Sequence, residues 1–95
     1  MRLTDYEIES IKKVFEESFG NGKIYLFGSR VDDTQKGGDI DLYIQTRDRN
    51  DIMIKKIQFL AKLKEKIGDQ KIDVIVSKDR TRVIEKEALT NGVEL

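Results

Sequence analysis

The stretch KIYLFGSRVDDTQKGGDIDLYIQT, residues 23–46, has the clearest pattern in the sequence. It opens with KIYLF, a short apolar run of the kind that forms a strand. It closes with DIDLYIQT, which alternates strictly, so that one face is apolar and the other carries Asp39, Asp41 and Tyr43. Between the two runs lie Gly28-Ser29, where a strand gives way to a short helical turn, and a polar loop. The pattern predicts two strands joined through this turn.

Two helical patterns flank this stretch. Residues 4–20 open with a T-x-x-E capping box, after which apolar residues recur at helical spacing. A second helix is predicted to be capped by Asn50 or Asp51 and to end at Gly68. In a domain this small, we expect both apolar stripes to belong to the core rather than to an interface. The second stripe consists of Met53, Ile57, Leu60, Leu63 and Ile67.

The last part of the chain predicts one more strand and one more helix. KIDVIVS, residues 71–77, alternates and leaves Asp73 on the face opposite the packed one, and residues 79–90 have a helical pattern. The predicted fold class is α/β, or more narrowly a two-layer α+β domain. It has a small mixed sheet of about three strands with helices packed on one face. We expect residues 1–95 to form a single domain.

The composition excludes several kinds of function. The chain has no cysteine and no histidine, which removes thiolate chemistry, Ser-His-Asp triads and most transition-metal sites. Carboxylates and hydroxyls remain, and these suit hard cations such as Mg²⁺ or Mn²⁺. Lysine and arginine number 18, as do aspartate and glutamate, so no strong nucleic-acid binding is expected. No segment predicts a signal peptide or membrane span, so a cytoplasmic location is expected.

Two features of residues 28–41 indicate chemistry. Gly28-Ser29 combines close backbone approach with a hydroxyl at the start of a helical turn, where free N–H groups bind anions. Taken alone, it is more often an ordinary turn. Asp39 and Asp41 share one face of a short strand, although aspartate is disfavoured in strands. They are either two solvated carboxylates or ligands of a divalent cation, which would relieve their repulsion.

A third aspartate, Asp73, bears on the choice between solvated carboxylates and metal ligands. It is a single carboxylate in an otherwise apolar strand. If that strand lies beside residues 39–46, three carboxylates converge, which suits one or two Mg²⁺ ions. The alternative is a lone aspartate near a strand end that meets Lys71 or solvent. The prediction therefore depends on strand order, which the sequence does not prove.

These motifs together resemble the DNA polymerase beta nucleotidyltransferase superfamily. Its signature is Gly-Ser, then Asp-x-Asp some ten residues on, then an acidic residue in a later strand. Gly28-Ser29, Asp39-x-Asp41 and Asp73 fit this order. The size of the chain and the sequence GSR…GDIDLYI resemble the minimal nucleotidyltransferase branch. The resemblance covers roughly residues 4–90. The resemblance implies the nucleotidyltransferase fold.

The resemblance also implies roles for individual residues. Gly28 and Ser29 would hold the triphosphate of a nucleotide such as ATP, and Asp39 and Asp41 would ligate Mg²⁺. Asp73 would complete the second metal site and help to deprotonate the attacking hydroxyl. Two cations lie near the turn. Arg30 is a candidate phosphate contact, and Lys36 is expected to be solvated.

The acceptor is the open question. Minimal members of the family commonly accompany a HEPN-type ribonuclease toxin, and some transfer AMP from ATP to a tyrosine of that toxin. The resemblance therefore implies an antitoxin that modifies a partner protein. Three alternatives stay open: a non-catalytic module that covers the toxin, transfer to a small molecule such as an aminoglycoside, and nucleic-acid end addition. A homo- or hetero-oligomer is compatible with each.

Overall fold

The structure is a computed structural model that describes residues 1–32, 34, 38–79 and 81–95. Within these residues the chain forms helices and strands in the alternating order that the sequence predicts. The helices are α1 Asp5–Phe19, α2 Ile52–Ile67 and α3 Val83–Asn91, with a short 3-10 helix at Gly28–Val31. The strands are β1 Lys23–Phe27, β2 Ile40–Gln45, β3 Ile72–Val76 and β4 Val93–Glu94.

The strands form one mixed sheet in the order β3-β2-β1-β4. β1 runs antiparallel to both β2 and β4, whereas β2 and β3 are parallel. The predicted fold class is confirmed, and β4 is an addition. With only Val93 and Glu94, β4 is too short to produce a periodic pattern in the sequence.

One face of the sheet packs against α1 and α2. The alternation in β2 is confirmed, since its apolar residues at even positions lie in this core while Tyr43 lies in a second cluster on the other face. The capping box of α1 is confirmed as well: Thr4 Oγ1 accepts from the Glu7 backbone N–H, and Glu7 accepts from that of Thr4. The buried strand residues of the first face are Ile24, Leu26, Ile40, Leu42, Ile44, Ile72, Val74 and Val76.

The expectation of helices on a single face needs a correction. α1 and α2 share a face, but α3 covers part of the opposite one, where its Ala88 packs with Phe27 and Tyr43. Tyr43 is fully buried there, and its hydroxyl donates to Glu85 of α3 at 2.8 Å. The physical reason is that this face is also apolar, and leaving it open would expose large aromatic surface to water.

Helix α2 also differs from its predicted pattern. Met53 and Ile57 are 66% and 62% exposed, so their assignment to the core is wrong, and Phe59 is buried instead. α2 is apolar around more than one stripe, and helical spacing alone does not choose the stripe that meets the sheet. Asp51 occupies the cap position, but its side chain makes no capping hydrogen bond. No helix of the described residues is long and apolar enough to cross a membrane.

Candidate active site

The parallel pairing of β2 and β3 brings two of the three predicted carboxylates together. In this register Asp41 is the direct partner of Asp73, and neighbouring strands lie about 4.8 Å apart. Side chains at paired positions point to the same face of a sheet, so the two carboxylates are neighbours. Partial burial raises the pKa of Asp41, and the negative charges of Asp73 and Asp39 raise it further. The strand order required by the sequence argument is the observed one.

The third carboxylate, Asp39, is held by a lysine. Its Oδ2 lies 3.2 Å from Nζ of Lys71, and this bond with Asp39 raises the pKa of the lysine. Within the part of the chain that the structure describes, no three acidic side chains stand close enough together to hold a metal ion. The donors are chemically suited to a hard divalent cation. A three-carboxylate site therefore requires these side chains to move closer together.

Gly28 lies directly against Asp41, which together with Asp73 forms the acidic pair. It has φ +77°, a conformation that favours glycine, and a Cβ built on it would lie 2.5 Å from Asp41 Oδ2. β1 pairs with β2 so that Phe27 is opposite Asp41, which fixes this approach. The glycine thus allows the backbone of the turn to reach the carboxylate, and no other residue type fits without displacement.

Ser29 is positioned by contacts that the sequence did not indicate. A Cβ on Gly38 would lie 2.2 Å from Ser29 Oγ, so the far end of the polar loop returns to the turn. The guanidinium of Arg2 donates to the carbonyl oxygens of Ser29 at 3.0 Å and Asp32 at 3.1 Å. A single arginine at the chain start carries no pattern, which is why sequence reasoning missed Arg2.

Arg30 makes three hydrogen bonds that join the turn to neighbouring parts of the chain. Its guanidinium donates to the carbonyl oxygens of Arg2 at 3.0 Å and Gly38 at 3.2 Å. It also donates to the side chain of Gln70 at 3.1 Å. These bonds use three of the five guanidinium N–H groups, so the phosphate contact by Arg30 stays a prediction. Lys36 lies outside the described residues.

A buried carboxylate on the same side of the sheet was also missed. Glu85 of α3 is fully buried and accepts hydrogen bonds from Tyr43 and Ser77 hydroxyls, at 2.8 and 2.7 Å. The backbone N–H groups of Lys78 and Asp79 donate to its other oxygen at 3.0 and 2.9 Å. Burial by itself raises its pKa, but these bonds outweigh burial and lower the pKa to about 2.

An open groove of about 510 Å³ leads to the acidic pair. Asp41 and Asp73 line it together with apolar side chains from α2, β3 and α3. A larger hollow of about 1030 Å³ contains neither aspartate and lies at the other end of the sheet, around Lys23, Gln45 and Ser77. The smaller groove is the one that fits the predicted chemistry, because the acidic residues are in its wall.

The comparison with known families agrees with this geometry. The model of the family described as Polymerase beta, Nucleotidyltransferase matches residues 9–95. The chain belongs to this family. The match spans the turn Gly28–Val31, the strand that carries Asp41 and the strand that carries Asp73. No match is found among the curated proteins.

Membership confirms a minimal nucleotidyltransferase domain of the polymerase beta-like superfamily. The roles predicted for Gly28, Ser29, Asp39, Asp41 and Asp73 stay predictions, and the structure adds their arrangement. Asp41 and Asp73 are paired, Gly28 touches Asp41, and Asp39 is engaged with Lys71.

Proposed function

We propose that this domain catalyses nucleotidyl transfer from a nucleoside triphosphate to a hydroxyl group. The observation that carries the proposal is the direct pairing of Asp41 with Asp73 in a groove that opens to solvent. Like charges held together in a partly buried place destabilise the fold, so they indicate a site that a cation occupies during function. Gly28, with its backbone against Asp41, supplies the adjacent turn.

The residues have distinct tasks in this reaction. Asp39, Asp41 and Asp73 would hold Mg²⁺, with Mn²⁺ as an alternative, and Gly28 and Ser29 would hold the triphosphate. When bound, the cations neutralise phosphate charge and acidify the attacking hydroxyl. Asp73, which is exposed, accepts the proton as the O–H bond breaks. The new O–P bond forms at the α-phosphorus, the bond to the β-phosphate breaks, and pyrophosphate leaves.

The finer assignment concerns the substrates. ATP is the proposed donor, AMP the transferred group, and a HEPN-type toxin the proposed acceptor, which would make this chain an antitoxin. The support is the resemblance of GSR…GDIDLYI to minimal nucleotidyltransferases of that kind. Zero net charge and an apolar groove beside the acidic pair also suit a protein acceptor better than a nucleic acid.

The test uses α-labelled ATP with Mg²⁺, the protein and the product of its neighbouring gene. Label on the neighbour establishes a protein nucleotidyltransferase, and the double variant Asp41→Asn, Asp73→Asn should abolish it. Asp5→Asn, an exposed carboxyl on α1, is the matched control and should leave labelling unchanged. An absence of label with each of the four ribonucleoside triphosphates, despite a tight complex, contradicts catalysis.

One observation favours a second candidate, a binding module that covers its partner without chemistry. Asp39 contacts Lys71, and among the described residues no group of three acidic side chains is placed to hold a metal ion. The double variant separates the two candidates. If it still neutralises the partner as well as the unmodified protein does, covering is sufficient and catalysis is not needed.

A further inference from the structure

Strand β3 is an outer strand of the sheet. The backbone of Lys71 accepts from Ile40, and that of Ser77 donates to Ile44, so residues at odd positions bond inward to β2. In a parallel pair the intervening residues direct their N–H and C=O groups away from the partner strand. Ile72, Val74 and Val76 therefore present backbone donors and acceptors at the edge, over a five-residue strand. Such an edge is a template for an added strand.

The edge is flanked by apolar side chains on both sides. On α2, Met53 and Ile57 are 66% and 62% exposed and lie on one helical face with Leu60, which lines the groove. On α3, Val83 and Ile84 are 85% and 39% exposed, and Ile84 also lines the groove. An exposed patch of this kind beside an open edge is typical of an interaction site.

The edge has exposed lysines at its two ends, of which Lys71 also contacts Asp39, and the carboxylates Asp41 and Asp73 in its middle. Lys71 and Lys78 are exposed just before and just after β3, and Lys56 lines the groove. α2 as a whole has five lysines and one glutamate. This charge selects against a second copy of the chain: antiparallel pairing of two β3 strands about Val74 would bring Lys71 of one copy near Lys78 of the other. Lysines at the ends and aspartates in the middle favour a segment whose carboxylates lie at its two ends.

We propose that the acceptor enters as an extended polypeptide segment that adds a strand to the outer edge of β3. Its apolar side chains pack against Ile57 on one side and Ile84 on the other, and its flanking carboxylates meet the lysines. The hydroxyl to be modified then lies beside Asp73, on the strand to which the segment pairs. The last point rests on the proposed function, whereas the docking of the segment does not.

The test uses a synthetic peptide of alternating valine and threonine with a central tyrosine and glutamates at both ends. It is titrated without nucleotide or metal and followed by NMR. We expect binding that weakens with salt and hydrogen-exchange protection of the amides of Ile72, Val74 and Val76. No protection of these three amides at peptide saturation, or no binding at millimolar peptide, overturns the proposal.

Matched variants sharpen the result. Ile57→Asn and Ile84→Asn should each weaken peptide binding by about tenfold, because an apolar contact is lost. Leu89→Asn, on α3 and 37% exposed, is the control and should bind as the unmodified protein does. A peptide with lysines in place of the glutamates should bind more weakly, and equal binding contradicts the charge argument. Sedimentation that gives a dimer blocked by Ile57→Asn overturns the choice of partner.

The outcome is separable from that of the proposed function. The double variant Asp41→Asn, Asp73→Asn should still bind the peptide, since neither side chain is needed for strand pairing. If the peptide fails to bind while label is still transferred to the partner protein, this docking mode is wrong and the proposed catalysis stands. If the peptide binds and no label is transferred to any acceptor, the docking mode stands and the proposed catalysis is wrong.

Discussion

Asp41 and Glu85 belong to the same side of the sheet and have opposite electrostatic environments. Glu85 is fully buried, yet two hydroxyls and two backbone N–H groups keep it ionised, with a pKa of about 2. Asp41 is less buried, but burial and the charges of Asp73 and Asp39 raise its pKa. Burial alone therefore does not distinguish a structural carboxylate from a candidate functional one. The satisfied charge stabilises the fold, and the repelled one belongs to the site that we propose as reactive.

Glu85→Ala should have the largest effect on stability, a loss of about 3–5 kcal/mol in the free energy of unfolding. The substitution leaves the hydroxyls of Tyr43 and Ser77 and two backbone N–H groups without their acceptor. Urea unfolding followed by circular dichroism measures it. Glu87→Ala, an exposed residue of the same helix, is the control and should cost under about 1 kcal/mol. Equal losses for both variants would remove the structural role of Glu85.

Gly28→Ala should destabilise the fold by about 1–3 kcal/mol, because the positive φ strains a residue with a Cβ and the Cβ would displace the Asp41 carboxylate. Gly20→Ala is the comparison, since its φ is also positive but nothing lies within 4 Å of its Cβ. Thermal unfolding of both variants measures the difference. A Gly28 variant no less stable than the Gly20 variant contradicts the close packing of turn and carboxylate.

Acid should remove the contribution of Glu85 in a defined window. Its pKa lies below the ordinary 4.5 in the folded protein, so its stabilisation is complete above about pH 4.5. The stabilisation is then lost as pH falls toward about 2. Unfolding free energies measured across this range should fall more steeply for the unmodified protein than for Glu85→Gln. Parallel curves for the two proteins would contradict the lowered pKa.

Asp41→Asn should act in the opposite direction on stability. Because the folded-state pKa of Asp41 is raised, its ionised form destabilises the fold as pH rises through that pKa. We expect the variant to be slightly more stable at neutral pH, because solvent screens the repulsion at this partly exposed site, while transfer activity falls at least about a hundredfold. Urea unfolding and the labelling assay give the two values. A variant that loses stability would place Asp41 with Glu85 as a structural carboxylate.

Lys71→Met should have the smallest effect, a gain of a few-fold in Mg²⁺ affinity. Lys71 is the cation that Asp39 contacts, at 3.2 Å, and its side chain is largely exposed, so the competition is weak. Calorimetric titration with Mg²⁺ measures the change. Lys78→Met is the control, because Lys78 lies at the other end of β3. Weaker Mg²⁺ binding by Lys71→Met would contradict competition between lysine and metal.

The sequence predicts much of the site because strand alternation is a strong local signal. It put Asp41 and Asp73 on the open face of two strands, and the pairing of those strands then joined them. It did not predict Glu85, because a carboxylate in a charged helix has no pattern that distinguishes burial from exposure. It misassigned Met53 and Ile57 for a related reason, since α2 is apolar on two stripes and only tertiary packing selects one. The partners of Arg2 and Arg30 depend on loop geometry, which spacing does not encode.

The most direct test of the acidic pair as a metal and nucleotide site is Mn²⁺ titration with a non-hydrolysable ATP analogue, followed by amide broadening in NMR spectra. We predict that broadening starts at Gly28, Ser29, Asp41 and Asp73, while the amides of Lys78 and Asp79 beside Glu85 stay sharp. In the double variant Asp41→Asn, Asp73→Asn, broadening should not start at these four residues. Broadening centred on the Glu85 region, or unchanged in the double variant, would contradict the account.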